Sequence, residues 1–567
     1  MTSESPALQA SGPPAEDGMP DPPRPPSSTL PTHGPTTSVV PRHGRVALPA
    51  LASGVGLALS LPPWGWWILA FPAAGLLWWR LAGLRPRTRL WAGWLAGLGC
   101  YGPGLMWARS FTIPGALVLI AFESAFMAVA CLVVPARRSV ARALAFPAAM
   151  TLAEAVRTTW PFGGLPIGGV FLGQAGGPVL GVARLGGPLA LTAAVYTGGV
   201  GIAALVEALL RARRRDRIGD GAGTGSGAGT GHGAGTGHCL GALVLIGAIA
   251  LGGLVGVSIG ADHAPDGGPP VGTVSTAAVQ GGGARGFRKS QIDPAVVLAA
   301  QMSATDHLLQ RDRGLAPRLV LWPEDVVSLN TALADSPEVD VLASVARGLH
   351  ATLVAGVTET VSPTAFRNEV VAWGPDGAIV SRYEKVHRVP FGEYVPFRSF
   401  FAHLGNLSAV PLDAVPGTGS GLLTTPSAPL GTMISYEVFY ADRGRTPVRS
   451  GAQLLIVPTN TSSYATAQVP TQEIAASEVQ AVQQGRDLLQ AAPTGYSAAI
   501  THRGVLLHRT VLGRQQLVLA TLARRSGWTP YVRYGDAPPI GLAAVALVAG
   551  WPLARRGRRG RAARDPL

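Results

Sequence analysis

Two textures of apolar and polar positions divide the chain. Between residues 46 and 260 it reads as seven long apolar runs, near 46–61, 64–81, 89–108, 112–134, 143–159, 188–209 and 239–260. Each approaches the ~20 residues a helix needs to cross a bilayer core. An eighth run lies near 538–553. Between about 270 and 530 the pattern changes: short β-type stretches alternate with helical ones. Strands are predicted over 273–280, 318–324, 351–359, 366–374, 378–385, 430–435 and 452–459, and helices over 294–310, 338–350 and within 471–490. The strands ending at 374 and starting at 378 are joined by a Pro-Asp-Gly turn. YSAAITHRG with VLLHRTVL reads as a closing hairpin. Such alternation predicts an α/β domain whose sheets are covered by helices.

Residues 1–44 are rich in Pro, Ser and Thr without apolar periodicity, and are expected to form a disordered tail. Residues 218–238 hold the repeat GDGAGTGSGAGTGHGAGTGH. The spacing matches glycine-rich phosphate loops by composition alone; no strand precedes it and no Lys-Ser/Thr follows, so it reads as a flexible linker. His232 and His238 are linker histidines on this reading.

Composition sharpens the picture. Hydrophobic residues are 47% of the chain and charged residues 14%, against roughly 25% charged in a soluble domain; mean hydropathy is +0.28. The net charge is +14. Its location decides its meaning. Arg85, Arg87 and Arg89 follow the second run, Arg137, Arg138 and Arg142 the fourth, Arg211, Arg213, Arg214, Arg215 and Arg217 the sixth, and a six-arginine segment the eighth. Basic loops after even-numbered runs predict eight spans with both termini cytoplasmic. The linker at 218–238 and the tail at 554–567 are then cytoplasmic, and the 270–530 region extracytoplasmic. The charge is a topology signal, and nucleic acid is excluded as a partner. The cysteines, Cys100, Cys131 and Cys239, lie in or beside apolar runs, which predicts neither a disulfide framework nor a metal cluster.

Within 270–530 three strand ends carry reactive groups. LVLWPED puts Glu324 after a Trp-Pro turn, SRYEKVHRVPFGEYVPF puts Lys385 at a second strand end with Glu393 beyond, and GTMISYEVFY puts Ser435 at a third. Groups held at strand ends can converge on one pocket. Taken singly, a strand-end Glu or Lys is most often a solvated surface charge, and a Ser a filler.

Taken together, LWPE (321–324), RYEKVHRVPFGEYVP (382–396), ISYE (434–437), PTN (458–460), GR (485–486) and TGYS (494–497) resemble the membrane-bound branch of the nitrilase superfamily, the apolipoprotein N-acyltransferases. The eight-span layout, with the soluble region between spans seven and eight, resembles that branch and not the soluble nitrilases. The resemblance covers about 46–553. It implies a polytopic membrane domain over 45–260, an αββα nitrilase-like domain over 270–530 and a final span at 538–553. It implies acyl transfer from a membrane phospholipid to the amine of a diacylglyceryl-modified apolipoprotein, with no cofactor and no metal. By position, Glu324 is implied as general base, Lys385 as oxyanion donor and Ser435 as the nucleophile position, with Glu393, Tyr436, Glu437 and Asn460 supporting.

The chain departs from that pattern where the family has its nucleophilic Cys: here stands Ser435, and no cysteine occurs in 270–530. A hydroxyl is a weak nucleophile without a well-placed base. Gln480 and Gln483 also stand where an Arg and a Glu are expected. Two readings stay open: a working serine-dependent acyltransferase, or a paralogue that keeps fold and lipid binding as a membrane scaffold, for example for a polyprenyl-phosphate glycosyltransferase. A soluble amidase would have no need of eight spans.

Overall fold

The computed structural model describes residues 44–562, apart from 138, 221–232, 284–292, 311–315, 404–406, 408–409 and 465. The expected tail at 1–44 lies almost wholly outside the described residues, as does most of the linker at 218–238. A helix stands at each of the first seven apolar runs: α1 (Gly44–Ser60), α2 (Ala70–Arg80), α3 (Pro86–Gly104), α4 (Ile113–Val133), α5 (Val140–Arg157), α6 (Ala183–Asp220) and α7 (Gly233–His263). Their starts follow local chemistry. Pro86 opens α3, where a missing N–H costs nothing, and Thr112 caps α4 by accepting the Gly115 N–H at 3.1 Å. α6 is interrupted at Gly186 and Gly187, before Pro188.

Among the described residues, three helices are long and apolar enough to cross a membrane, over Ile113–Val133, Leu180–Arg215 and Leu240–His263; shorter apolar helices lie at Val46–Ser60 and Ala537–Gly550. α1 packs on α3, α3 on α4, α2 and α5 on α6, and α6 on α7. Small residues let the backbones approach, as is usual between helices in lipid: a Cβ on Gly54 would fall 1.9 Å from the Ala96 carbonyl oxygen.

The 270–530 region folds as two sheets. The first contains β1 (Pro270–Gln280), β2 (Leu319–Leu321), β3 (Val327–Leu329), β4 (Thr352–Ser362), β5 (Ala365–Trp373), β6 (Ile379–Glu384) and β7 (Asp413–Ala414). The second is β8 (Leu422–Thr424), β9 (Pro429–Thr432), β10 (Leu454–Pro458), β11 (Leu488–Ala491), β12 (Ala498–Ile500) and β13 (Leu506–Arg509). A last strand, β14 (Gln516–Arg525), returns to pair antiparallel with β1, so the first sheet runs β14-β1-β2-β4-β5-β6 with β3 on β4 and β7 on β5, and the second β13-β12-β11-β10-β9-β8. Side chains alternate as a strand requires. On β10, Leu454 and Ile456 face the first sheet, meeting Leu321, Val354 and Val370; Leu455 and Val457 face the other way, toward helices.

Helices complete the layers. α8 (Pro294–Leu309) and α9 (Glu338–Leu349) cover the first sheet. A short helix α10 (Arg398–Ala402) lies between β6 and β7 in sequence, and α11 (Ala441–Arg449) and α12 (Gln468–Gln484) cover the second sheet. The order αββα is the nitrilase-like sandwich expected from the resemblance. Two further helices, α13 (Pro530–Tyr534) and α14 (Ala537–Ala562), end the chain. α14 occupies the eighth run and continues beyond 553 into the basic segment, because Ala and Arg are strong helix formers.

α12 is buried along nearly its whole length, since it packs on the second sheet and also on α6. Its polar residues close the end of α3 and the loop after α5. Gln468 Nε2 donates to the carbonyls of Pro103 and Gly104, and Gln472 donates to Gly104 while accepting the Gly168 N–H at 3.0 Å. These bonds satisfy groups that a helix terminus leaves without partners.

Candidate active site

The three strand ends do converge, and none carries a solvated charge. Lys385 follows β6, and its N–H continues the ladder by donating to the Asn368 carbonyl on β5 at 2.9 Å. The side chain is 2% exposed. Its Nζ donates to Glu324 Oε1 and to Glu393 Oε1, each at 2.8 Å. Glu324 sits in the turn after β2, beside Asp325, whose φ of +59° marks the tight bend. Glu393 reaches back because its own N–H donates to the Val389 carbonyl, while its Oε2 accepts the Val389 N–H at 2.7 Å. Asn368 Nδ2 bridges the two carboxylates, at 2.8 and 3.0 Å.

The electrostatics follow. Burial acts to lower the Lys385 pKa, but the two carboxylates outweigh it and hold the ammonium well above its ordinary value. Burial raises the Glu324 carboxyl, and Glu393 adds to this, against the pull of Lys385 and the Asn368 hydrogen bond. Glu324 is therefore held above the usual carboxylate range while Lys385 stays charged. Lys385 has three N–H groups, and among the described residues two are engaged, which leaves one for an incoming oxygen.

Ser435 begins a 3₁₀ turn after β9, with φ at +49°. A non-glycine residue rarely adopts that conformation, and it is held by its neighbours. Glu437 is the principal hold: it is fully buried and accepts the N–H groups of Ile434, Val386 and His387 and the hydroxyl of Tyr383, all within 3.0 Å. One carboxylate thus joins the Ser435 segment to the Lys385 strand end. Burial raises its pKa and the backbone N–H groups oppose that. Tyr436 and Tyr440 both donate to the carbonyl of Gly164, at 3.1 and 2.8 Å. Gly164 lies in the loop after α5, with φ at +85°, and a Cβ there would fall 2.1 Å from the Thr158 carbonyl carbon. Arg157 secures the same loop, donating to the carbonyls of Leu165, Pro166 and Ile167 and pairing with Glu154 and Glu123.

Ser435 Oγ itself lies 3.2 Å from Thr459 Oγ1, which donates to Glu473 Oε1 on α12. Among the described residues, neither Glu324 nor Lys385 is hydrogen-bonded to Ser435. Asn460 stays apart from the cluster: its Oδ1 accepts the Ser462 N–H and hydroxyl, closing the turn after β10. Asn368, Glu473 and Gly164 carry no motif and were not singled out. For Glu473 one signal was available, an acid in the otherwise apolar and amide-rich stretch TQEIAAS.

Gln480 and Gln483 take on a structural meaning. Gln480 Nε2 donates to the carbonyls of Val438 and Tyr440, at 2.8 and 2.9 Å, and Gln483 donates to Gln480 Oε1. They brace the turn that carries Ser435, so uncharged amides stand where two carbonyls need donors.

Comparison with known proteins places this geometry. Residues 53–201 match the apolipoprotein N-acyltransferase N-terminal domain, and residues 276–527 match carbon-nitrogen hydrolase. The chain is 30% identical to the apolipoprotein N-acyltransferase of Azotobacter vinelandii over 91% of this chain and 96% of that one. It is 28% identical to that of Mycolicibacterium smegmatis over 88% and 83%. Among solved structures it is similar to Saccharomyces cerevisiae Nit3, a nitrilase superfamily member, at 18% identity and a TM-score of 0.35, over 45% of this chain and 91% of that one.

Proposed function

Because this chain belongs to the apolipoprotein N-acyltransferase family, we propose that it moves a fatty acyl chain from a membrane phospholipid to the α-amine of a lipoprotein's N-terminal S-diacylglyceryl-cysteine, through an ester on Ser435. The protein is a membrane-associated acyltransferase of lipoprotein maturation. The observation that carries this reading is the relationship to the Azotobacter enzyme, which runs through the membrane helices and the hydrolase domain alike.

In this mechanism Ser435 Oγ attacks the acyl ester of the phospholipid. The free N–H of Lys385 stabilises the oxyanion, where a fixed positive group helps most because the charge develops in the transition state. Glu324, held above the usual carboxylate range, protonates the departing glyceryl oxygen and later takes the proton of the attacking amine. Glu393 and Asn368 orient both partners. An oxygen ester is less activated toward an amine than a thioester, so the second step leans more heavily on Lys385 and Glu324.

The arginine distribution supports eight spans, with both termini cytoplasmic and the sandwich outside, where both substrates are anchored in the adjoining leaflet. A scaffold role is not favoured: desolvating a lysine and two carboxylates is costly, and a passive lipid-binding protein has no use for the cluster.

The test is deletion of the gene in a host with no other such acyltransferase, followed by mass spectrometry of lipoprotein N-termini. The N-acyl mass is expected to disappear and to return with the wild-type gene. An unchanged N-acyl population overturns the assignment.

A further inference from the structure

A hydroxyl nucleophile must lose a proton as it attacks, and the hydrogen-bond partner of Ser435 Oγ among the described residues is Thr459. Thr459 follows β10, is fully buried, and has a single hydroxyl hydrogen. With Glu473 protonated, the acid donates to Thr459 and Thr459 donates to Ser435 Oγ, the direction the structure records at 3.2 Å. When Glu473 loses its proton the Thr459 hydrogen turns to the carboxylate, the stronger acceptor, and the chain reverses to run Ser435 to Thr459 to Glu473. Glu473 is 1% exposed, and its Oε2 has no hydrogen-bond partner among the described residues.

We propose that Thr459 and Glu473 form the proton relay of Ser435, separate from Glu324, which serves the substrates. The relay rests on the acyl-transfer reading above. As Ser435 Oγ bonds to the acyl carbon, its proton passes to Thr459 Oγ1 and the Thr459 proton passes to Glu473. The carbon–oxygen bond to the glyceryl group then breaks, and that oxygen leaves with the proton of Glu324. In the second half the amine nitrogen bonds to the acyl carbon and gives its proton to the Glu324 carboxylate. The bond to Ser435 Oγ breaks, and Ser435 recovers its proton through Thr459 from Glu473. Both acids end as they began, and the sum is one ester and one amine converted to one amide and one alcohol.

Glu473 suits a shared proton. Burial raises its carboxyl to about 8, against the Thr459 hydrogen bond. Glu324 from the turn after β2 raises it further, Lys385 after β6 lowers it, and the Tyr464 hydroxyl lies within electrostatic reach. A base is most effective with a pKa near the working pH. A thiol ionises on its own near pH 8.5 and needs no such relay, so this pair answers the demand that Ser435 creates. Thr459 touches the reacting oxygen; Glu473 acts through it, as a positioning residue that stores the proton.

The test uses full-length protein in phospholipid nanodiscs, scoring acyl-Ser435 by peptide mass spectrometry after rapid quenching. Glu473→Gln and Thr459→Val are each expected to slow acylation by about 100-fold or more. Wild-type acylation should rise with pH as Glu473 loses its proton, with an inflection near 8 that Glu473→Gln abolishes. In a Ser435→Cys background, Glu473→Gln should cost less than about tenfold. Equal losses in both backgrounds would reduce Glu473 to a structural part and overturn the relay. Should Glu473→Gln fail to fold, a wild-type rate that stays flat from pH 6 to about 9 overturns it instead. Full-rate acylation in both variants refutes the relay alone, whereas wild-type protein that never acylates at Ser435 refutes the acyl-transfer reading and the relay with it.

Discussion

The hydroxyl of Tyr436 donates to the carbonyl of Gly164 across 3.1 Å, joining the residue after Ser435 to the loop after α5. Tyr440 makes the same bond at 2.8 Å. The left-handed backbone of Ser435 is therefore braced from two sides, by Glu437 within the sandwich and by the α5 loop outside it.

Removing one of these hydroxyls leaves the other bond in place, and a net hydrogen bond contributes only ~1 kcal/mol. Tyr436→Phe or Tyr440→Phe alone should slow acyl-Ser435 formation less than about fivefold. The double variant leaves the Gly164 carbonyl without either partner, a penalty of about 1–3 kcal/mol, and should slow it at least about tenfold. Single-turnover rates in nanodiscs check this; additive single effects would show that the two bonds act independently.

Lys385→Met strips the cation from two buried carboxylates. Breaking such a group costs about 3–5 kcal/mol, relieved in part as Glu324 protonates. Loss of the oxyanion donor should lower turnover about 100- to 1,000-fold. Thermal melts should show the variant recovering stability as pH falls, because protonation removes the unpaired charge. A Tm that does not respond to pH would mean that the pair is not charged in the folded protein.

Gln480→Leu keeps the volume and removes the donor to Val438 and Tyr440. The Val438 carbonyl loses this donor while the Tyr440 carbonyl keeps the Arg443 N–H, and destabilisation of about 1–3 kcal/mol is expected. A melt unchanged from wild type would return Gln480 to the status of a lost family residue.

Ser435→Ala should abolish acylation and N-acyl product together. Ser435→Cys should speed the aminolysis step, since a thioester yields more readily to an amine, and its adduct should be cleaved by neutral hydroxylamine where the serine ester resists. Acylation that persists in Ser435→Ala would place the acyl group elsewhere.

Orientation can be read with single cysteines and an impermeant thiol reagent in intact spheroplasts, after replacing Cys100, Cys131 and Cys239. A cysteine at the exposed Arg503 should label from outside. One placed at 225, in the glycine-rich linker, should label only after lysis. Labelling of both from outside would break the eight-span topology.

Much of this protein was legible in its sequence, and for physical reasons. Helix location follows from apolar runs, because lipid or a packed interior demands them wherever the helix sits. The strands at 352–362, 365–373 and 454–458 announce themselves by apolar runs bounded by turn residues. β14 was missed although QLVLATLARR is rich in strand formers; without its partner β1, more than two hundred residues earlier, nothing local marked it as the closing strand. Glu324, Lys385, Glu393 and Ser435 were legible because each sits in a rigid, turn-bearing word.

What acts on those residues was not legible. Gly164 meets Tyr436 across 272 positions of chain, and Glu473 meets Thr459 only because α12 lies against the end of β10. Sequence alone determined which elements form and which reactive groups stand at their ends, since periodicity and turn chemistry are local properties. Tertiary structure alone decided that the acid linked to Ser435 is Glu473 and that Glu324 is committed to Lys385. Such partnerships depend on positions within ~0.5 Å, set by how sheet, helix and the loop after α5 pack together, and no spacing along the chain encodes that.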